Sequence, residues 1–225
     1  MLCVFDVNET LLDLAALDDF FADLTGDPGA RREWFDLMIH NALALTAARA
    51  YRPFGAIAGA ALAPIMAAHG RTVTADHQRE LGGRLRRLPA HPEVRESITR
   101  LREAGFGVVT LTNSVAAVAE DQLRNSGLRE LVDTVYSADQ VRQLKPAPEP
   151  YRLVLDDQQV APPDAVLIAA HGWDIAGAAA AGLVTAFISR DQRAPLPAAD
   201  APSISGNNLD DIAAELVTQH AGQSA

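Results

Sequence analysis

The chain has 225 residues, of which 48% are hydrophobic, with one cysteine and a formal net charge of −10. This composition supplies a core for one large domain or for a core domain with an insertion, and no stretch reaches the roughly 18 apolar residues of a membrane span. The negative charge argues against nucleic-acid partners, and the lone cysteine excludes an intramolecular disulfide, so we expect a cytoplasmic protein without membrane contacts.

The chain opens with a short apolar strand over residues 2–5, which ends at Asp6. Residues 14–88 then have helical patterns, and no convincing strand interrupts them. We expect the alanine-rich helical stretch in their middle to be broken at Pro53, Pro64 and Gly70. A further helix is predicted to start after Thr74, which is a favourable N-cap residue. The stretch 14–88 is therefore predicted to be a helical insertion that follows the first strand.

From about residue 89 onward, amphipathic helices alternate with short buried strands. Gly105 is predicted to end the first of these helices, and Pro148 or Pro150 to lie in the first turn of a later one. Ser114 is expected to cap the helix that follows the second strand. Alternation of this kind is typical of an α/β fold whose parallel sheet has helices on both faces.

Polar side chains follow three of the predicted strands, at the edge where the sites of open α/β sheets form. Asp6 ends the first strand, Thr112 and Asn113 end the second, and His171 and Asp174 follow a later one. Taken singly, each has an ordinary explanation as a turn residue, a helix cap or a loop residue. Their joint occurrence at neighbouring strand ends predicts an active site at this edge of the sheet.

Four segments in succession carry a family resemblance, namely FDVNETLLD, LTNS, LKP and AAHGWD. They resemble the haloacid dehalogenase-like superfamily of hydrolases and, within it, the type II 2-haloacid dehalogenase branch. The resemblance covers nearly the whole chain. It implies a Rossmann-like core over 1–13 and 89–225, a helical cap domain over 14–88 inserted after the first strand, and a homodimer.

The resemblance also implies a role for each residue that matches the family's motifs. Asp6 is the expected nucleophile, Lys145 its cationic partner, and Asp174 the acid that positions this lysine and a water molecule. The hydroxyl of Thr112 is expected to stabilise negative charge that develops during the reaction. The other matching residues are expected to line the site or to contact the substrate: Asn8, Thr10, Asn113, Tyr151, His171 and Trp173.

The expected reaction follows from the chemistry of a carboxylate. A carboxylate is a weak nucleophile, which fixed placement and partial desolvation beside a cation make stronger. Lys145 is expected to keep Asp6 ionised, because a nearby opposite charge lowers the pKa of a carboxyl group. Asp6 would displace halide from C2 of a 2-haloacid, and water would then hydrolyse the aspartyl ester to a 2-hydroxy acid of inverted configuration.

Asn8 separates this chemistry from phosphoryl transfer. At this position the related phosphatases carry a second aspartate that protonates the leaving alkoxide, and an amide cannot do so. They also hold magnesium partly through an acid four residues before the position of Asp174, where this chain has Ala170. We therefore expect a hydrolase of small molecules that uses no metal or other cofactor. The neighbouring Glu9 is expected to point away from the site.

The chain departs from the dehalogenase branch at several positions. Asn8 replaces a tyrosine, and apolar Leu45 falls near the place of the arginine that grips the halide. Arg49 or Arg52 is a candidate substitute for this arginine. His171 replaces an asparagine, and it is either a general base for water or a donor to the substrate. Two alternatives stay open: a phosphatase-like or other hydrolase with the same nucleophile, and a non-catalytic protein that binds a small carboxylate.

Overall fold

The computed structural model describes residues 1–191 and 193–223, so the predicted core boundary at residue 225 lies outside the described residues. Within this part, six strands form one parallel sheet in the order β3-β2-β1-β4-β5-β6. The strands are β1 (Leu2–Phe5), β2 (Gly107–Thr112), β3 (Thr134–Ser137), β4 (Ala165–Ala169), β5 (Val184–Ile188) and β6 (Ile204–Gly206). The predicted parallel sheet of a Rossmann-like α/β fold is therefore confirmed, with β1 between β2 and β4.

Four α-helices lie within residues 14–88, the predicted insertion after β1. They are α1 (Asp18–Thr25), α2 (Ala30–Ala47), α3 (Phe54–Ala68) and α4 (Ala75–Leu85). Thr74 caps α4 as predicted, because its side chain accepts a hydrogen bond from the backbone N–H of His77. No helix of the described residues is long and apolar enough to cross a membrane. That the four helices form a separate cap domain stays a prediction.

The predicted break at Pro64 is wrong, because α3 continues through this residue. Proline lacks a backbone N–H and costs about 3 kcal/mol inside a helix. The apolar residues on both sides of Pro64 are nevertheless buried, including Ala61, Leu62, Ile65 and Met66. Tertiary packing on both sides of the proline therefore holds the helix together against its local preference.

Five further α-helices pack around the sheet in the described part. They are α5 (Val94–Glu103), α6 (Ala116–Asn125), α7 (Pro148–Gln158), α8 (Gly172–Ala180) and α9 (Leu209–Gln223). Gly105 follows α5 with a φ of +89°, as expected of a glycine after a helix. The predicted cap at Ser114 is wrong. The backbone N–H of Ser114 instead donates to the Thr112 hydroxyl, and α6 begins two residues later.

The side chains of β1 alternate between two apolar layers, as the pleat of a strand requires. Cys3 and Phe5 lie in the larger core, which α1–α5 and α9 also build. Leu2 and Val4 lie in the smaller core with residues of α7 and α8. Because both faces of β1 are covered, the residue that follows this strand is held at a fixed place on the sheet edge.

Candidate active site

Asp6 directly follows β1 at the middle of the carboxyl edge of the sheet. Its backbone N–H donates to the carbonyl oxygen of Ile168 in β4 at 3.1 Å, so sheet pairing continues up to this residue. The Thr10 hydroxyl donates to Asp6 Oδ2 at 2.8 Å and accepts from the backbone N–H of Ala170 at 3.0 Å. Thr10 therefore fixes the Asp6 carboxylate relative to the end of β4.

Lys145 is the only lysine of the chain, since the other 18 of its 19 basic residues are arginines. Its buried ammonium donates to Asp6 Oδ1 at 2.9 Å, to the carbonyl oxygen of Leu111 at 2.8 Å and to Asp174 Oδ2 at 2.5 Å. All three donors of the ammonium are thus used, and a flat guanidinium would not present its donors in this arrangement. Burial lowers the pKa of Lys145, but the two carboxylates outweigh burial and raise it above its usual value.

Asp174 lies in the first turn of α8 and is completely buried. Its Oδ1 accepts a hydrogen bond from the hydroxyl of Tyr151 at 2.5 Å. Burial raises the pKa of Asp174, and the attraction of Lys145 offsets this only in part. A Cβ on Gly177 would lie 2.6 Å from both the Tyr151 hydroxyl and Cβ of Pro146, so only glycine lets α8 approach this closely.

Asn113 and Thr112 line the small cavity above Asp6, but their hydrogen bonds are directed elsewhere. Asn113 Oδ1 accepts from the backbone N–H of Lys145 at 2.8 Å, and Nδ2 donates to its carbonyl oxygen at 3.4 Å. Asn113 therefore positions the lysine through its backbone. The Thr112 hydroxyl accepts from the backbone N–H of Ser114 at 3.2 Å, which leaves its own proton for another acceptor.

His171 is the second ionisable group that contacts Asp6. Its Nδ1 lies 3.1 Å from Asp6 Oδ2, and its Nε2 lies 2.8 Å from Glu9 Oε2. The ring is stacked between Phe35 of α2, at 5.5 Å between centroids, and Trp173, at 5.1 Å. Burial lowers the pKa of His171, but the hydrogen bonds to the two carboxylates outweigh burial and raise it to about 9. Both ring nitrogens thus carry a proton near neutral pH.

Glu9 is buried in the site, so the prediction that it points away is wrong. Its φ of +60° is rare for a residue with a side chain, and this turn directs the carboxylate toward His171. Arg193 lies 3.0 Å from Oε2, and Arg31 of α2 lies 3.5 Å from Oε1. Burial opposes ionisation of Glu9, but His171 and Arg193 outweigh it and lower the pKa of Glu9.

A sequence profile of the haloacid dehalogenase-like hydrolases matches residues 1–182. The chain belongs to this family. It is 28% identical over 199 residues to (S)-2-haloacid dehalogenase 4A of Burkholderia cepacia, covering 86% of this chain and 84% of that protein. It is also 28% identical over 190 residues to (S)-2-haloacid dehalogenase 1 of Pseudomonas sp. strain CBS-3, covering 84% of each.

The fold of this haloacid dehalogenase-like hydrolase also matches a solved enzyme structure. The L-2-haloacid dehalogenase of Xanthobacter autotrophicus, with chloropropionic acid covalently bound, superposes with a TM-score of 0.89. The match covers 96% of this chain and 98% of that one, at 20% sequence identity. At this identity the likeness supports the shared fold, and the arrangement of side chains has to be taken from this chain itself.

The candidate substitutes for a halide-binding arginine do not reach Asp6 in this haloacid dehalogenase-like hydrolase. Arg52 is exposed and donates to the carbonyl oxygen of the preceding residue, and Arg49 lines a surface depression. Leu45 packs against the larger core. Apolar side chains of α2 and α3 line the cavity above Asp6 instead. His171 is thus the cation that contacts Asp6 on the side away from Lys145.

Asn8 lines the small cavity above Asp6. Its Oδ1 accepts a hydrogen bond from Gln122 Nε2 at 2.9 Å. Nε2 of Gln122 also donates to the carbonyl oxygen of Leu85 at 2.9 Å, so a backbone acceptor fixes which way the Gln122 amide is turned. Among the described residues, the NH₂ group of Asn8 has no hydrogen-bond partner. Asn8 therefore offers a donor to an anionic ligand and no proton to a leaving group.

The donor set does not fit a magnesium site. Within the described ranges, no group of three or more His, Cys, Asp or Glu side chains is arranged to hold a metal ion. The ammonium of Lys145 lies between the carboxylates of Asp6 and Asp174, where a cation would have to compete with it. Ala170 supplies no side-chain oxygen, although hard cations prefer oxygen ligands.

Proposed function

We propose that this hydrolase is a 2-haloacid dehalogenase, which replaces the halogen at C2 of a 2-haloalkanoic acid with a hydroxyl group through an ester on Asp6. The observation that carries the proposal is the buried ion pair of Asp6 with Lys145, beside an amide at Asn8 instead of an acid. Similarity to two (S)-2-haloacid dehalogenases over more than four fifths of the chain supports it.

In the first step the ionised carboxylate of Asp6 attacks C2, and halide leaves as a stable anion. Burial opposes this ionisation, but Lys145 and His171 outweigh it and hold the pKa of Asp6 well below its usual value. The NH₂ group of Asn8 is the donor available to the substrate carboxylate or the halide, and the positive charge of His171, whose two N–H groups contact Asp6 and Glu9, attracts both anions. The covalent adduct in the Xanthobacter enzyme supports an ester intermediate of this kind.

In the second step water attacks the ester carbonyl carbon of Asp6 and releases the 2-hydroxy acid. Lys145 lies where it stabilises the negative charge that develops on the carbonyl oxygen. Ester formation removes the charge of Asp6, which is one of the two anions that keep His171 protonated. The pKa of His171 therefore falls during the first step, in the direction that a base for the attacking water needs.

The alternative phosphatase chemistry has less support from the residues of the site. An alkoxide leaving group needs a proton, and Asn8 cannot supply one. The nearest acid in the chain, Glu9, is ion-paired with His171 and Arg193, and its lowered pKa makes it a poor proton donor. The loss of both the general acid and the magnesium ligands favours displacement of halide. A cytoplasmic homodimer that acts on a small molecule is part of the same proposal.

Halide release from purified protein tests this function directly. We expect chloride or bromide to be released from (S)-2-haloalkanoic acids without added metal, and Asp6→Asn to lower the rate at least about 10³-fold. The matched control is Asp36→Asn, because Asp36 is 70% exposed and contacts Arg193 but not the substrate cavity. A single turnover in ¹⁸O-water should place label in the Asp6 peptide.

Two results would overturn the proposal. The first is the absence of halide release from every 2-haloacid of a panel that covers both enantiomers and several chain lengths. The second is halide release that Asp6→Asn leaves unchanged. Magnesium-dependent release of phosphate from a phosphate ester would support the phosphatase alternative instead, and ligand-induced stabilisation without turnover would support a binding protein.

A further inference from the structure

A chamber of about 300 Å³ lies beside the small cavity above Asp6, between α2, α3, α4 and the segment that leads into α6. The chamber and the cavity share three lining residues, Asn8, Phe35 and Phe54. The rest of the chamber wall is mostly apolar and includes Leu14, Trp34, Met38, Ala58, Leu81 and Leu85. A polar nucleophile site is therefore joined at one edge to a much larger apolar space.

The volumes of the two spaces decide where a ligand can be held. The cavity above Asp6 has about 10 Å³ for the centre of a water molecule, which is close to the least that one water needs. By contrast, an apolar cavity of about 150 Å³ is known to take benzene. The chamber is twice that size, so it has room for a group larger than a phenyl ring.

Polar groups of the chamber lie at its border with the cavity, at Asn8 and Gln122, and also on the side of α4, at Gln78 and Arg86. Gln122 is 1% exposed, and its Oε1 has no hydrogen-bond donor among the described residues. Its Nε2 holds Asn8, which lines both spaces. A ligand with an anionic end and an apolar end matches this layout, because Lys145 and His171 contact Asp6 and most of the chamber wall is apolar.

We propose that the substrate carries at C2 a large apolar group, an alkyl chain of about six carbons or an aryl group, which fills the chamber during turnover. This inference rests on the dehalogenase function proposed above and adds the substrate class to it. The carboxylate and the halogen lie beside Asn8, where the two spaces meet and C2 can face Asp6, and the substituent extends past Phe35 and Phe54 into the chamber. Each methylene buried there strengthens binding about fourfold.

Two neighbouring glycines of α4 give a matched test. Gly82 lines the chamber, whereas Gly83 does not. A Cβ on either residue meets only the flexible end of an arginine side chain, at 3.7 Å for Gly82 and at 3.9 Å for Gly83. Leucine is a better helix former than glycine, so neither Gly82→Leu nor Gly83→Leu should weaken α4. Only the first places four carbons at the chamber wall.

The measurement is the ratio of kcat/KM for 2-bromooctanoate to that for 2-bromopropanoate. We expect a ratio of at least about 50 in the wild type, a fall of at least about tenfold in Gly82→Leu, and the wild-type ratio in Gly83→Leu. A wild-type ratio near one, or equal ratios in the two variants, overturns the inference. Should Gly82→Leu fail to fold, Ala58→Leu fills the chamber from α3 and gives the same comparison.

Failure of the dehalogenase function itself has a different signature. In that case no 2-bromo acid releases bromide, whatever its length. Binding of octanoate, measured by calorimetry, then shows whether the chamber binds an apolar chain. Binding that Gly82→Leu weakens and Gly83→Leu does not weaken supports the chamber as the site of an apolar chain, and octanoate binding that is absent or equal in both variants overturns it.

Discussion

The carboxylate of Asp6 lies between two cations that the protein holds in different ways. On one side, Lys145 is completely buried, uses all three of its donors and contacts only residues that end strands of the sheet or begin α8. On the other side, His171 contacts the carboxylate of Glu9 and stacks on the ring of Phe35 in α2. Glu9 in turn forms an ion pair with Arg193. Both cations keep Asp6 ionised, but only the imidazole, whose pKa is raised to about 9 by Asp6 and Glu9, can lose its proton near neutral pH once one of these carboxylates is neutralised.

Lys145 and His171 differ in whether their charge can change during the proposed reaction. Because the pKa of Lys145 is raised above its already high usual value, its charge is constant under all working conditions. The charge of His171 depends on the charge of Asp6, which the proposed reaction removes and restores in each cycle. The charge on the lysine side is thus constant, whereas the charge on the histidine side depends on whether Asp6 is ionised. Three substitutions test this contrast.

Removal of the lysine should have the largest effect. Lys145→Met leaves the carboxylates of Asp6 and Asp174 buried without a cation between them, and breaking a buried pair of this kind costs about 3–5 kcal/mol of unfolding free energy. We expect activity to fall at least about 10³-fold at every pH. Urea unfolding and halide release measure the two effects.

Two companion variants sharpen the lysine result. Arg79→Met breaks an ion pair with Asp76 in which both side chains are more than 70% exposed, and it should leave stability unchanged within error. Lys145→Arg keeps the charge but presents its donors in a plane, so we expect it to restore little activity. Wild-type activity in Lys145→Arg would contradict the view that the shape of the ammonium matters here.

Removal of the histidine should have a smaller effect that depends on pH. His171 has a pKa near 6.5 when unfolded and about 9 when folded, so its contribution to stability is complete below about pH 6.5. The contribution declines as pH rises toward 9 and is lost above it. Urea unfolding should therefore find His171→Gln less stable than the wild type by about 3 kcal/mol at pH 6, with the gap closing toward pH 10. A gap that does not change with pH would contradict the charged imidazole.

Removal of the acid behind the histidine should have the smallest effect. Glu9→Gln takes away one of the two carboxylates that hold the proton on His171, so the pKa of His171 should fall below about 9. NMR titration of the imidazole measures this shift, which we expect to be about one pH unit. Asp36→Asn is the control, because Asp36 contacts Arg193 at 3.8 Å but not His171. An unchanged titration in Glu9→Gln would show that Asp6 alone sets the charge.

The residues on the lysine side of Asp6 could be predicted from the sequence, whereas those on the histidine side could be predicted only in part. Asp6, Lys145 and Asp174 follow strands or start a helix, and parallel strands bring such positions to one edge. Glu9 was missed because its inward direction depends on a backbone turn with positive φ, which the sequence does not reveal at a glutamate. Phe35 was missed because only the packing of α2 on the core brings it to His171.

The fold shows the same division between local pattern and tertiary packing. Strand periodicity and the glycine at 105 predict the sheet and the end of α5 correctly, because these signals act over a few residues. The continuation of α3 through Pro64 depends on burial of the residues around it, which has no local signal. The chamber beside Asn8 likewise forms where α2, α3, α4 and the start of α6 meet, so no single stretch of the sequence predicts it.

The single lysine gives the molecule a chemical reporter at the centre of its site. Since no other side chain of the sequence carries a primary amine, Lys145 is the one side-chain amine that acylating reagents can mark, and peptide mapping separates it from the α-amino group of Met1. Its ammonium is shielded from solvent and held by three acceptors, so acylation has to wait until this edge of the sheet opens. The rate of acylation at this residue, followed by mass spectrometry, therefore measures how often this edge opens, and it needs no substitution in the chain.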